Sequence, residues 1–192
     1  MLCPVKQIQD MWMNLIALYL AAGAPIAFAK ASNHEVFDRL HVDSMDLRAE
    51  DLGFVDSRGK THHLKDELGR PLILHFWATW CTSCVKEIPE LARISSKLSE
   101  DGVQLLAVSV DPIEKKADVR DFLAKLHPSV PLMIAATDGG AGSRYWAWGL
   151  PTTYFIDAHG KIFARALGER HWSERDVLEL FQKRKVSEKS KR

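Results

Sequence analysis

The stretch Leu72-Ile73-Leu74-His75-Phe76-Trp77-Ala78-Thr79-Trp80-Cys81-Thr82-Ser83-Cys84 decides the reading of this chain. Its first half is a nearly continuous apolar run, which suits a central strand covered on both faces. After the cysteines, Val85, Ile88, Leu91, Ile94 and Leu98 recur every three or four residues, the period of a helix with one buried face. Pro89 falls inside that helix and is expected to kink it. A buried strand thus runs straight into two cysteines at the start of a helix.

Cysteines at C-x-x-C spacing form either a redox pair or half of a metal site. As a redox pair, the two sulfurs have unequal roles. Cys81 sits where unpaired backbone N–H groups and the positive end of the helix dipole favour a thiolate, so it is the expected nucleophile. Cys84 lies one turn further in on the same side, placed to attack a mixed disulfide and release the product. Glu87, three residues beyond Cys84, either tunes that sulfur or is a solvated surface carboxylate. His75, on the strand six residues before Cys81, is either a proton relay or a hydrogen-bonded strand histidine.

Outward from this centre, Phe54 to Leu64 reads as two short strands around an Asp-Ser-Arg-Gly turn, and Gly69-Arg70-Pro71 punctuates before the central strand. Val103 to Val110 is a second buried strand, Lys115 to Leu126 a helix, and Val130 to Ile134 a further strand. Pro151 to Asp157 pairs with Lys161 to Arg165 as a hairpin, and Ser173 with Asp176 makes a capping box for a last helix from Glu174 to about Lys185. The order predicts an α/β fold, a central mixed sheet flanked by helices, with a β-hairpin extension on its N-terminal side and no internal repeat.

The whole chain has 192 residues, enough for one domain with a core and tails. Its 26 Lys and Arg against 25 Asp and Glu leave a net charge of +1, so no global field recruits nucleic acid. Three cysteines are too few for a stapled scaffold or a four-cysteine zinc site. Met11 to Ala29 is apolar apart from Asn14, follows Lys6, and ends in Ala27-Phe28-Ala29, the layout of a secretory signal cleaved after Ala29. The alternative is an uncleaved membrane anchor. The domain plan is therefore 1–29 signal or anchor, 30–46 an exposed lead-in, 47–185 the domain, and 186–192 a basic tail. Cys3 has no assigned role. His62, His63 and His171 lack ligand-spaced partners, so no metal site is expected.

Trp77-Ala78-Thr79-Trp80-Cys81-Thr82-Ser83-Cys84 resembles the active site of the thioredoxin fold, most closely the exported disulfide reductases of the TlpA/ResA type and the related CcmG/DsbE proteins of cytochrome c maturation. The likeness covers roughly Leu47 to Phe181. It includes the hairpin at Phe54 to Leu64, the lead-in Gly69-Arg70-Pro71, the helix pattern Cys81, Cys84, Glu87, Pro89, and the later Gly149-Leu150-Pro151-Thr152-Thr153 with Ile156-Asp157. It implies a thioredoxin-like fold and a redox disulfide between Cys81 and Cys84. It also implies that Pro151 is cis opposite the cysteines, with Leu150, Pro151, Thr152 and Trp80 as a docking site for client backbone. Trp146 and Trp148 extend that aromatic rim as a weaker candidate.

Two departures stand out: His75 where thioredoxins often carry a buried Asp, and Thr82-Ser83 where the family often has a proline. The missing histidine between the cysteines leans towards a reducing or intermediate potential. The implied activity is reduction of exported protein disulfides, without a bound cofactor, with electrons from a membrane thiol donor, at the periplasmic or extracytoplasmic face. Oxidation or isomerisation by the same pair is the main alternative. A Sco-like copper module, which uses C-x-x-x-C, and a peroxiredoxin-like peroxidase, which attacks with one cysteine, are the more distant ones.

Overall fold

The structure is a computed structural model that describes residues 33–127, 133–135, 145 and 149–189. The expected signal segment 1–29, Cys3, Trp146, Trp148, the glycine-rich patch at 138–142 and residues 190–192 lie outside the described residues.

The elements in chain order are helix α1 (Asn33–Leu40), strands β1 (Asp43–Arg48), β2 (Gly53–Asp56) and β3 (Thr61–His63), the short helix α2 (Leu64–Glu67), β4 (Leu72–Trp77), α3 (Thr82–Glu100) and β5 (Gln104–Ser109). A 3-10 turn at Ile113–Lys115 leads into α4 (Lys116–Leu126), then β6 (Met133–Ala135), β7 (Thr152–Ile156), β8 (Lys161–Leu167) and α5 (Glu174–Lys189). The strands form one sheet in the order β1-β8-β7-β4-β5-β6-β2-β3. β4 runs parallel to β5 and antiparallel to β7, so the sheet is mixed as expected. The expected hairpin is β2–β3, carried at one edge beside β6.

β4 is buried along its whole length, and its alternation divides the core. Leu72, Leu74 and Phe76 enter one cluster with Phe54, Tyr145, Tyr154 and Ile156. Ile73 enters the opposite one with Leu91, Ile94 and Leu98 of α3 and Trp172, Val177 and Phe181 at the chain's end. Trp77 packs with Ala78, Cys81, Cys84 and Ile88 in a third. His75, between Ile73 and Trp77 in the alternation, therefore shares the α3 side of the sheet.

The segment 30–46, expected as an exposed lead-in, is corrected from residue 33 on. Helix α1 buries Val36 and Leu40 in the α3–α5 core, and Val42 follows them in. β1 adds an antiparallel edge strand to β8, so the folded body starts before residue 47. The physical reason is thin signal. Three apolar residues, Val36, Phe37 and Leu40, in an eight-residue helix are too few to show a period, and β1 (DSMDLR) is an edge strand with mostly exposed side chains. Arg39 links α1 to α5 through Asp176 at 3.1 Å and through Glu179. At the other end, α5 continues to Lys189, past the boundary expected at residue 185.

One turn is used twice, at Asp56-Ser57-Arg58-Gly59-Lys60 and at Asp157-Ala158-His159-Gly160-Lys161. In the first, Asp56 Oδ1 accepts the N–H groups of Arg58 (2.8 Å) and Lys60 (2.9 Å). In the second, Asp157 Oδ1 accepts those of His159 (2.9 Å) and Lys161 (3.0 Å). Gly59 and Gly160 supply the positive φ, +86° and +74°, that a β-branched or bulky residue resists. Two hairpins, one at the sheet's edge and one beside its centre, thus share a single Asp-x-x-Gly-Lys solution.

Candidate active site

α3 begins immediately beyond the β4 end, and Cys81 is its N-cap. The Cys84 N–H donates to Cys81 Sγ at 3.2 Å, so the sulfur occupies the place where an N-cap side-chain oxygen ordinarily sits. The Ser83 hydroxyl lies 3.4 Å from the same sulfur. Cys81 and Cys84 are joined in a disulfide with Cα atoms 5.3 Å apart. Cys81 is 7% exposed and Cys84 fully buried. Of the two sulfurs, Cys81 is the one nearer to solvent.

The approach to Cys81 is held by a residue that the sequence reading missed. Asp111 is buried and accepts the Thr79 N–H at 2.9 Å, the Thr79 hydroxyl at 2.8 Å and the Ser109 hydroxyl at 2.7 Å. It ties the loop after β4 to the loop after β5. Asp111-Pro112 reads in sequence as an ordinary turn opening, and the signal that could have exposed it is a lone carboxylate directly following a buried strand. Replacing Asp111 with Ala leaves the Thr79 N–H without its acceptor and is expected to cost about 2 kcal/mol. Urea unfolding of the oxidised protein measures this, and unchanged stability would show that the contact does not hold the loop.

The Leu150–Pro151 peptide is cis, as the resemblance implied, and Leu150 packs against the cluster that holds Cys81 and Cys84. Pairing of β7 with β4 and β8 begins at Thr152, so Leu150 stands outside the ladder. The Thr152 hydroxyl donates to the Gly149 carbonyl, and the Pro151 carbonyl accepts the Gly168 N–H at 2.8 Å. Trp80 is 68% exposed beside Cys81, which leaves its indole available to a partner.

Glu87 and His75 come together beneath this surface. Glu87 is only 1% exposed, which sets aside the solvated-carboxylate alternative. Its Oε1 accepts the Arg170 N–H, and one turn on, Glu90 accepts the Trp172 N–H at 2.8 Å. Burial pushes the Glu87 carboxyl up to about 7, with Glu169 adding to the push; the Arg170 N–H, the Trp172 side chain and the Arg170 charge oppose it. His75 is fully buried, its Nδ1 lies 2.9 Å from Thr153 Oγ1, and burial lowers it to about 3. His75 Nε2 and Glu87 Oε2 face each other at 3.8 Å.

The described residues contain no group of three or more His, Cys, Asp or Glu able to hold a metal. His62 pairs with Asp56 at 3.1 Å and His63 with Asp51 at 3.0 Å, on opposite sides of the hairpin. No described helix is long and apolar enough to cross a membrane.

A disulfide between cysteines at C-x-x-C spacing at a helix N-terminus supports thiol–disulfide exchange. The class that this sheet and this pair define is the thioredoxin-fold thiol–disulfide oxidoreductase. The AhpC/TSA family model matches residues 45–165. The chain is 33% identical over 130 residues, 67% of its own length and 73% of the relative's, to a thiol-disulfide oxidoreductase ResA of Bacillus cereus. It is 35% identical over 107 residues, 56% of this chain and 58% of the relative, to the ResA of Bacillus subtilis (strain 168). The crystal structure of a putative thiol:disulfide interchange protein DsbE from Chlorobium tepidum superposes with a TM-score of 0.61 at 27% identity, covering 72% of this chain and 98% of that one. The chain belongs to the AhpC/TSA family and, within it, to the thiol–disulfide oxidoreductases of the ResA and CcmG type.

Proposed function

We propose that the protein reduces disulfides in exported client proteins, with Cys81 as nucleophile and Cys84 as resolving cysteine. The observation that carries this reading is the burial and hydrogen-bonding difference between the sulfurs: Cys81 capped by the Cys84 N–H and reachable, Cys84 enclosed. Attack by the Cys81 thiolate forms a mixed disulfide and releases one client thiolate. Attack by Cys84 on Cys81 then frees the second client thiolate and restores the ring disulfide. A client strand docks on Leu150, with Pro151, Thr152 and Trp80 framing it. Glu87 takes the proton that Cys84 must lose before it attacks, and His75 supports Glu87.

Export rests on the Met11–Ala29 segment, and the client class follows from it, because disulfides persist outside the cytosol. Reoxidised Cys81–Cys84 needs a thiol donor on the outer face of the membrane. Reduction of apocytochrome cysteines before haem attachment is the narrower form of this reading. The reducing direction is supported by Thr82-Ser83, a dipeptide without the histidine that stabilises the thiolate in strong oxidants.

The test is the equilibrium potential of Cys81–Cys84 against glutathione. A value in the range of roughly −200 to −270 mV is expected, that of glutaredoxins and thioredoxin. A value near about −120 mV belongs to an oxidant and would overturn the reducing direction.

A further inference from the structure

His75 and Thr153 are directly opposite each other across β4 and β7, so the sheet register itself places the imidazole Nδ1 on the Thr153 hydroxyl. The other ring nitrogen points to the α3 side, where Glu87 Oε2 stands 3.8 Å away. Both atoms of that gap, His75 Nε2 and Glu87 Oε2, are buried without a hydrogen-bond partner, as is Nε1 of Trp172, whose side chain also acts on Glu87. His75 Nε2 and Glu87 Oε2 are about 0.9 Å short of a hydrogen bond with each other. Two orphaned polar atoms that face each other in a dry interior are costly apart and satisfied together.

A neutral imidazole can satisfy that partner in two ways, because one nitrogen donates while the other accepts. A threonine hydroxyl can also donate or accept. From these two facts we infer that His75 is a tautomeric positioning residue: it switches which nitrogen carries its single proton as Glu87 gains and loses its own. With Glu87 protonated, Oε2–H donates to His75 Nε2 and Nδ1–H donates to Thr153 Oγ1. With Glu87 ionised, Nε2–H donates to Oε2 and the Thr153 hydroxyl donates to Nδ1. The proton balance is one proton lost from the group as a whole. Glu87 surrenders its proton, the ring keeps one, and the Thr153 hydroxyl reverses direction. His75 is never doubly protonated in this cycle, in keeping with its complete burial.

The groups that face Glu87 support both of its states. The Arg170 N–H bonds Oε1 in either, and the Arg170 charge and Trp172 side chain favour the ionised form. Glu169 and burial favour the neutral one. Across the sheet, β5 presents Ala107 opposite His75, and β7 presents Thr153, so neither adds a charge.

The inference deepens the reading of Glu87 as the proton acceptor of Cys84, and its test separates the two. Ring nitrogen-15 NMR of His75 in the full chain, followed between pH 5 and 9, is expected to show the protonated nitrogen change from Nδ1 to Nε2 as Glu87 ionises. In Glu87→Gln the amide N–H takes the place of Oε2–H and fixes the Nδ1–H tautomer at every pH. His75→Leu removes the switchable donor and is expected to weaken the Glu87 acid at least about tenfold, read from its carboxyl carbon-13 shift. His75→Gln, whose amide presents either N–H or C=O, is expected to restore it to near the wild-type value. A tautomer that does not change through the Glu87 titration, or a Glu87 acid strength equal in all three chains, would overturn the inference. If the tautomer switches but Glu87→Gln resolves mixed disulfides at the wild-type rate, the inference stands and the proton role of Glu87 falls.

Discussion

Cys81→Ser is expected to abolish exchange with a client disulfide, a loss of at least about a thousandfold, while Cys84→Ser keeps the first step and stalls at the second. The asymmetry follows from the geometry of α3. The Cys81 sulfur takes the Cys84 N–H at the helix N-terminus, where a thiolate is stabilised and a serine hydroxyl, far from ionising near neutral pH, is not. Cys84 is enclosed by Trp77, Ala78, Ile88 and their neighbours, so a client meets Cys81 first. Incubation of each reduced variant with a disulfide-containing protein, followed by non-reducing electrophoresis and mass spectrometry, reads the result. Cys84→Ser should accumulate a mixed disulfide through Cys81, and Cys81→Ser should form none. A stable adduct through Cys84 in the Cys81 variant would reverse the assignment of attacking and resolving sulfur.

The parts of this molecule legible in sequence are those in which one short-range pattern decides. Leu72 to Trp77 could be read as a buried central strand because its apolar run is unbroken but for His75, and α3 because its core positions keep helical spacing. The site residues Cys81, Cys84 and Pro151 were carried by spacing and by resemblance. What was not legible depends on partners distant in sequence. Val36 and Leu40 gain meaning only against Trp172, Val177 and Phe181, more than a hundred residues on, and β1 only against β8. Asp111 gains its role from Thr79, on another loop. The meeting of His75 and Glu87 needs both the sheet alternation and the phase of α3, and either alone leaves a surface glutamate as plausible as a buried one. The repeated Asp-x-x-Gly-Lys turn was readable in principle, since both copies are local, but five residues are too few to register as a repeat.

The pH dependence of stability should carry the mark of the buried pair, with opposite signs for its two members. Glu87 is raised from 4.5 to about 7, so the folded protein binds its proton more tightly than the unfolded chain does. Its contribution is fully present below about pH 4.5 and is lost as pH rises through about 7. His75 is lowered from 6.5 to about 3, so here the unfolded chain binds the proton more tightly. Its contribution is present above about pH 6.5 and is lost as pH falls through about 3. Between about pH 4.5 and 6.5 the folded pair holds one proton, on Glu87, and the unfolded pair holds one, on His75. The two slopes cancel, and the pair adds a plateau there. Removing either member should uncover the other. Glu87→Gln leaves the histidine alone, and stability should climb from acid to neutral pH by on the order of 3 kcal/mol or more. His75→Gln leaves the carboxyl alone, and stability should fall by on the order of 3 kcal/mol between about pH 4.5 and 7. Urea unfolding of the oxidised protein at closely spaced pH values gives both curves against the parent. Parallel profiles for all three chains would mean that neither group is held in its uncharged form by the fold, and the buried acid–imidazole pair would lose its basis.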